Sequence, residues 1–331
     1  MSISDNIFNY INSIPKLDLH CHMDGSFSID FVKNTLSLKE DFETLSDMLR
    51  APKDCGSLAE YLTRFDLPIK CLQTKENITK GVLDVIANSK KEGVKYLELR
   101  FAPSCSVNEQ LNYQDVYEAA IEGCKMGKDR YAIDSNIILC AMRHHDMETN
   151  LKVLHTAMDY LGHGICALDL AGNEAGFHNS LFRDLFKEAK RLGMPFTIHS
   201  GECGNYENVE LALEYGAKRV GHGIALAKNK TLIEKCNKAR LGLELCPTSN
   251  YQTKAVTPDE SYPLKFFLDN GLLATVNTDN RTVSNTTITN ELLLSYNNLG
   301  INEDDILTLY KNSVEISFAD DNIKHRLLTL V

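Results

Sequence analysis

From residue 94 onward the chain keeps one rhythm, a short apolar run followed by a longer stretch of helical periodicity, and that rhythm leaves few folds open. Strand-like runs fall at 94–101, 135–142, 165–171, 195–200, 219–224, 241–246 and 272–277. Helical patterns occupy 114–128, 147–160, 180–192, 206–215, 229–238 and 260–269. One more strand stands near the start, at 16–22, where Leu17 and Leu19 alternate with Asp18 and His20 in the two-residue period of a strand. Apolar strands alternating with helices imply parallel pairing through right-handed crossovers. Eight such units close into a (β/α)8 TIM barrel. The competing open, doubly wound sheet would call for a GxGxxG after the first strand, and none is there.

The expected fold class is therefore α/β, a TIM barrel with a helical insertion after strand 1 and C-terminal helices from 287 onward. The insertion, about 28–91, carries helical patterns at 28–36, 40–50, 57–68 and 76–91. No repeat, low-complexity tract or linker interrupts residues 1–331, so one domain is expected. An insertion after a barrel strand emerges at the functional face, where it is expected to form a lid.

Charge and cysteine usage narrow the partners. A net charge of −10 argues against nucleic acid and anionic membrane surfaces, which would repel it, and leaves a small neutral ligand open. No apolar run approaches the roughly 20 residues of a membrane span. Residues 1–15 contain Asp5 and no basic cluster, so no signal peptide is expected. The ten cysteines form no CxxC pair and several sit in apolar runs, which fits a reducing cytoplasm.

In barrels of this kind chemistry sits at the carboxyl ends of the strands. Strand 1 ends in His20-Cys21-His22, before a turn set by Asp24-Gly25. Strand 5 ends in His199-Ser200-Gly201-Glu202, strand 6 carries His222, and strand 8 ends in Asp279-Asn280. Taken singly, each has an ordinary reading. A strand-end histidine can simply satisfy the backbone, Asp279 can cap the next helix, and Glu202 can be a solvated charge. Their convergence on one mouth suggests instead a metal site with His20, His22, His199 and Asp279 as donors, three nitrogens and one oxygen. A zinc ion lowers the pKa of bound water toward about 7. His222 would then serve as general base or electrostatic anchor, and Glu202 as a proton donor to the substrate. Ile165 to His178 holds no lysine that could bridge two metals, so one metal per chain is expected.

Seven stretches carry a resemblance that extends over most of the chain: PKLDLHCHMDGS (15–26), YLELRFAPS (96–104), ALDLAGNE (167–174), HSGE (199–202), VGHGIAL (220–226), LELCPTSN (243–250) and VNTDN (276–280). Together they resemble the adenosine deaminase family of metal-dependent amidohydrolase barrels. The resemblance implies one Zn2+ on His20, His22, His199 and Asp279, with Glu202 protonating purine N1 and His222 orienting the attacking water. It also implies that the backbone N–H of Gly172 meets N3 and that Asp24 meets a ribose hydroxyl. Leu58, Tyr61, Leu62 and Phe65, at i, i+3, i+4 and i+7, match the helix that lines the family's nucleoside pocket. Asn280 departs from the pattern, standing where many relatives have a second aspartate that donates to N7. An amide donates without first having to hold a proton.

The implied activity is zinc-dependent hydrolytic deamination of adenosine, and of 2′-deoxyadenosine, to inosine and ammonia in purine salvage. The unrelated zinc deaminases with HxE and PCxxC are excluded, because Cys246-Pro247 runs on into Thr-Ser-Asn. A binding protein that had lost turnover would have lost a ligand or the acid, and none is missing. Asp24 argues for a neutral 5′-hydroxyl over a phosphate, unless a cation such as Arg281 lies close enough to compensate.

Overall fold

A computed structural model describes residues 3–52, 55, 58–257 and 259–331, the side chains of 3–5, 58 and 59 excepted. Eight parallel strands follow one another in chain order: β1 (Lys16–His22), β2 (Val94–Phe101), β3 (Asp134–Met142), β4 (Ile165–Ala171), β5 (Thr197–Ser200), β6 (Arg219–His222), β7 (Gly242–Leu245) and β8 (Leu273–Val276). They pair as two four-stranded sheets, β1 to β4 and β5 to β8. Single bridges join the halves, Leu168 with Phe196 and Cys21 with Asp279. The second seam is knit by His22 N–H to Asp279 O (2.7 Å) and Asp279 N–H to His20 O (2.8 Å). Closure thus places the end of β8 against the end of β1, and the expected barrel is the fold.

The last four strands are shorter than their apolar runs, because residues such as Pro195, Ile224 and Cys246 have already left the ladder for loops or helix starts. The predicted helix 57–68 is broken into Leu58–Leu62, a 3₁₀ turn Thr63–Phe65 and Asp66–Cys71. At the break the Thr63 hydroxyl donates to Glu60 O (2.7 Å), a local bond that competes with helical geometry. Helix Pro247–Gln252, absent from the sequence pattern, starts on a proline, which tolerates the first helical turn. Of the tail helices, Glu303–Ile316 packs on β8 and β1 outside the barrel. Beyond it, Phe318 stacks over the Arg219 guanidinium at 4.0 Å.

Charged side chains occupy the barrel interior where branched aliphatics are the common filling. Glu98, Arg219, Glu244, Arg100 and Asp169 form one continuous chain of ion pairs at 2.6 to 3.0 Å, every member fully buried. Apolar packing is moved outward, between strands and helices. The insertion docks on the barrel through Cys55, Tyr61 and Val283, Ala51 N–H to Val283 O (2.8 Å) and Tyr61 Oη with Ser284 Oγ (2.6 Å).

Helices Lys75–Lys91 and Tyr113–Tyr131 approach closely because Gly123 and Gly127 face Val82 and Ile86. A Cβ on Gly123 would lie 2.6 Å from Val82 Cβ. Alanine in a helix interior ordinarily gains about 1 kcal/mol over glycine, but overpacking a tight contact costs about 1–3 kcal/mol. Gly123→Ala should therefore lower stability, read as a lower midpoint of denaturant unfolding with an unchanged slope.

Candidate active site

His20 and His22 leave β1 after an irregularity in its pairing, where Asp18 faces Leu97 but Cys21 already faces Leu99. The extra residue on β1 re-aims the strand end toward the barrel mouth, as bulges beside active sites do. Four histidine rings, His20, His22, His199 and His222, cluster there with the centroids of neighbouring rings 4.6 to 5.3 Å apart. Asp279 Oδ1 lies 3.5 Å from both His20 Nε2 and His22 Nε2, and His22 Nε2 lies 3.2 Å from His199 Nε2.

The histidines are oriented from behind. His20 Nδ1 meets Glu244 Oε2 at 2.8 Å, and His199 Nδ1 meets Asp169 Oδ2 at 2.9 Å. A carboxylate on Nδ1 holds the proton there and leaves Nε2 as the lone-pair nitrogen. Among the described residues the buried His20 Nε2 has no hydrogen-bond partner. Burial favours a neutral carboxyl on Asp169, yet the adjoining His199 ring and the Arg100 guanidinium outweigh it and hold Asp169 below the usual range. Glu244 is held down likewise, by Arg100 and Arg219 against its burial.

These residues fit a divalent metal. Donors at about 2.0–2.1 Å from a tetrahedral ion lie about 3.3 Å from one another, and the three separations above bracket that value. Charge agrees: four buried carboxylates (Glu98, Asp169, Glu244, Asp279) face two guanidiniums (Arg100, Arg219), an excess of two negative charges beside the imidazoles that a divalent cation would balance. His222 and Cys246 also approach the cluster, within 4.8 Å of His20 and its neighbours. His222 has other work. Tyr262 Oη donates to Asn250 Oδ1 (2.8 Å), so the Asn250 amide nitrogen faces His222 Nδ1 (3.0 Å) and donates to it. The ring proton then sits on Nε2, 3.7 Å from Glu202 Oε2. Burial pushes the His222 pKa down to about 3 and keeps the ring neutral.

A cavity of about 280 Å³ opens beside this cluster, and every sequence-predicted site residue with a described side chain, except the deeper His20, lines it. His22, His199, His222 and Asp279 form its floor, with Glu202, Asp24, Gly172 and Asn280 around the wall. Tyr61, Leu62 and Phe65 face it from the insertion, although Leu62 remains 37% exposed; the Leu58 side chain lies outside the described residues. Burial, with the Asp279 and Glu174 charges nearby, pushes the Glu202 pKa up to about 8. Burial pushes the Asp24 pKa up to about 6, and among the described residues neither its Oδ1 nor that of Asn280 has a hydrogen-bond partner. Gly25 makes room for Asn280: a Cβ there would sit 1.8 Å from Asn280 Oδ1. Arg281 is turned away from the cavity and held by Asp18 (3.1 Å) and Glu92.

Sequence reasoning missed the orienting residues Arg100, Asp169, Glu174, Glu244, Asn250 and Tyr262. A signal for three of them was present. Arg100, Asp169 and Glu244 are charged residues inside otherwise apolar strands, and such a residue must find a buried partner.

The family profile described as Adenosine deaminase matches residues 15–331. A protein of Enterococcus faecalis named adenosine deaminase is 38% identical over 322 residues, covering 96% of each chain. Another so named, from Clostridium acetobutylicum, is 39% identical over 98% of each. Among solved structures, adenine deaminase of Arthrobacter aurescens superposes with a TM-score of 0.87 at 22% identity, over 96% of this chain and 98% of that one. An amidohydrolase of Burkhoderia ambifaria with bound Zn gives a TM-score of 0.87 at 18% identity, over 99% and 92%. At these identities the structures speak for the barrel.

If Asp169 orients His199 toward a metal, Asp169→Asn should weaken metal binding by about 10- to 100-fold. Competition against a chromophoric chelator measures it.

Proposed function

We infer, for a chain that belongs to the adenosine deaminase family, that the cavity at the carboxyl end of the barrel is where its hydrolytic deamination of adenosine takes place. The observation that carries this reading is the buried Glu202 carboxyl facing the same small cavity as the convergent histidines and Asp279. The family's deaminases are metal-dependent. The proposed ion is one Zn2+ per chain, held by His20, His22, His199 and Asp279. When bound, such an ion supplies Lewis acidity that brings the pKa of water down to about 7.

The chain's own residues do the rest. With its pKa near 8, Glu202 carries a proton at neutral pH and passes it to purine N1, which makes C6 electrophilic. His222, with its proton on Nε2, donates a hydrogen bond to the oxygen that attacks C6 and fixes the face of attack. The C6–O bond forms and the C6–N bond breaks; of the two protons of the attacking water, one goes to the departing amine, which leaves as ammonia, and the other restores the Glu202 carboxyl, giving inosine protonated at N1. Of the sequence alternatives for His222, the Asn250 contact supports the anchor over the general base. The Asn280 amide serves as donor to N7, the Gly172 N–H as donor to N3, and Asp24 as acceptor for the 5′-hydroxyl. That contact does not use the 2′ position, so 2′-deoxyadenosine is included.

Among the described residues lining the cavity there is no lysine or arginine, and Arg281 is spent on Asp18 and Glu92. A 5′-phosphate would meet Asp24 with no cation to answer it. Two like charges 4 Å apart at an effective dielectric of 20 repel by about 4 kcal/mol. The insertion, about 28–91, is read as the lid wall of the pocket within a single domain. No helix among the described residues is long and apolar enough to cross a membrane; purine salvage in a reducing cytoplasm is the proposed setting.

Glu202→Gln should keep its metal and lose at least about 10²-fold in kcat, followed by the ultraviolet change as adenosine becomes inosine; turnover near wild type would remove the acid assignment. In the same assay kcat/KM for AMP should lie at least about 10²-fold below that for adenosine. Comparable values would show that a cation reaches the ribose end after all.

A further inference from the structure

The β4 and β5 loops, which carry Gly172 and Glu202, are tied together by one buried carboxylate. Glu174 is 2% exposed, and both its oxygens are fully engaged. Oε1 accepts from Gly201 N–H (2.6 Å) and Asn208 Nδ2 (2.8 Å), while Oε2 accepts from Glu202 N–H (2.8 Å) and Cys203 N–H (3.0 Å). Three consecutive backbone N–H groups of one loop thus converge on a single carboxylate from the neighbouring loop. The convergence requires Gly201 at φ 76°, a left-handed conformation that turns successive amides to one side.

We propose that Glu174 is a positioning residue: it sets the distance between the β4 loop and the Glu202 carboxyl, and so the registry of the purine's N1 edge with its proton donor. This rests on the reading of Glu202 as the N1 acid. Hydrogen bonds to a charged acceptor are about twice as strong as neutral ones, so three of them from the loop, with a fourth from Asn208 in the helix that follows, hold the loop stiffly. The Glu202 side chain stands 3.7 Å from the neutral His222 ring, beyond hydrogen-bond distance, so its position follows from the backbone of the loop that carries it. Glu174→Gln keeps the shape but turns an amide N–H2 toward backbone donors, so at least one oxygen's pair of bonds is lost and the loop relaxes. A misplacement of about 1 Å at a reacting group can cost about 10²-fold in rate.

The test compares adenosine with 1-deazaadenosine, which offers every contact of the pocket except N1. For Glu174→Gln, kcat/KM for adenosine should fall by about 10²-fold while Ki for 1-deazaadenosine stays within about 3-fold of wild type. Asn208→Ala, which removes one of the four bonds and leaves the Glu174 charge, should lose activity in the same direction by less, again with Ki for 1-deazaadenosine held. Glu202→Gln runs in parallel. If it is as active as wild type, the acid reading falls and the strut with it. If it is inactive while Glu174→Gln keeps wild-type kcat/KM, the strut alone falls. If Ki for 1-deazaadenosine rises in step with the loss on adenosine in both Glu174→Gln and Asn208→Ala, Glu174 supports the whole pocket rather than the N1 registry, and the proposal is overturned.

Discussion

Charges buried in a barrel must answer one another, and here that requirement organises the site. Arg100 bonds at once to Asp169 (3.0 Å) and Glu244 (2.8 Å), the two carboxylates that stand behind His199 and His20. One guanidinium from β2 therefore sets both imidazoles, although they come from strands on different sides of the closed barrel. Arg219 extends the chain to Glu98 and anchors it to the far end through Ile316 O and the Phe318 ring. A fully buried ion pair is weak evidence for stability, since an apolar filling is often as good. Its use here is orientation: a planar guanidinium bonding two carboxylates permits little rotation of either.

Above that layer the backbone itself is held in costly conformations. His222 and Asp279 both have positive φ, 62° and 59°, in a region that non-glycine residues seldom visit. Each costs on the order of 1–3 kcal/mol and persists where the surroundings over-determine it. Asp279 is pinned by its backbone bonds to both His20 and His22, so the turn that ends β8 and the strand that opens the barrel hold each other. His222 is pinned through Asn250 and Tyr262. Burial and ring contacts then tune the protonation states, with His222 neutral and Glu202 protonated near pH 7. One cavity supplies both an acid and a neutral donor because each is desolvated in the direction its task requires.

Much of this was legible in the chain. Alternating apolar runs located all eight strands, with β2 and β4 matching residue for residue. Polar residues at strand ends marked His20, His22, His199, His222, Glu202 and Asp279, the side chains that the structure brings together at the barrel mouth. The register of β1 was less readable: the irregularity between Asp18 and Cys21 leaves no mark in composition. The insertion's long helical pattern broke at Thr63, because one hydroxyl-to-carbonyl bond outweighs propensity over so short a piece. Arg281 was read as a cation that could approach a substrate, and it is instead the buried partner of Asp18 and Glu92. Its sequence neighbours Asp279 and Asn280 face the cavity, and nothing local distinguishes the three.

What the sequence by itself determined is the set of elements and the chemistry at their ends, because periodicity and strand-end residue types are local properties. What only the tertiary structure decided is which of those groups meet. Glu174 clamps a loop 27 or more residues away, Asn250 reaches back to His222, and Glu244 joins His20 across 224 residues of chain. Closing a barrel brings every strand end to one rim, and the angles at which it does so are fixed by register and packing, which depend on all the strands together.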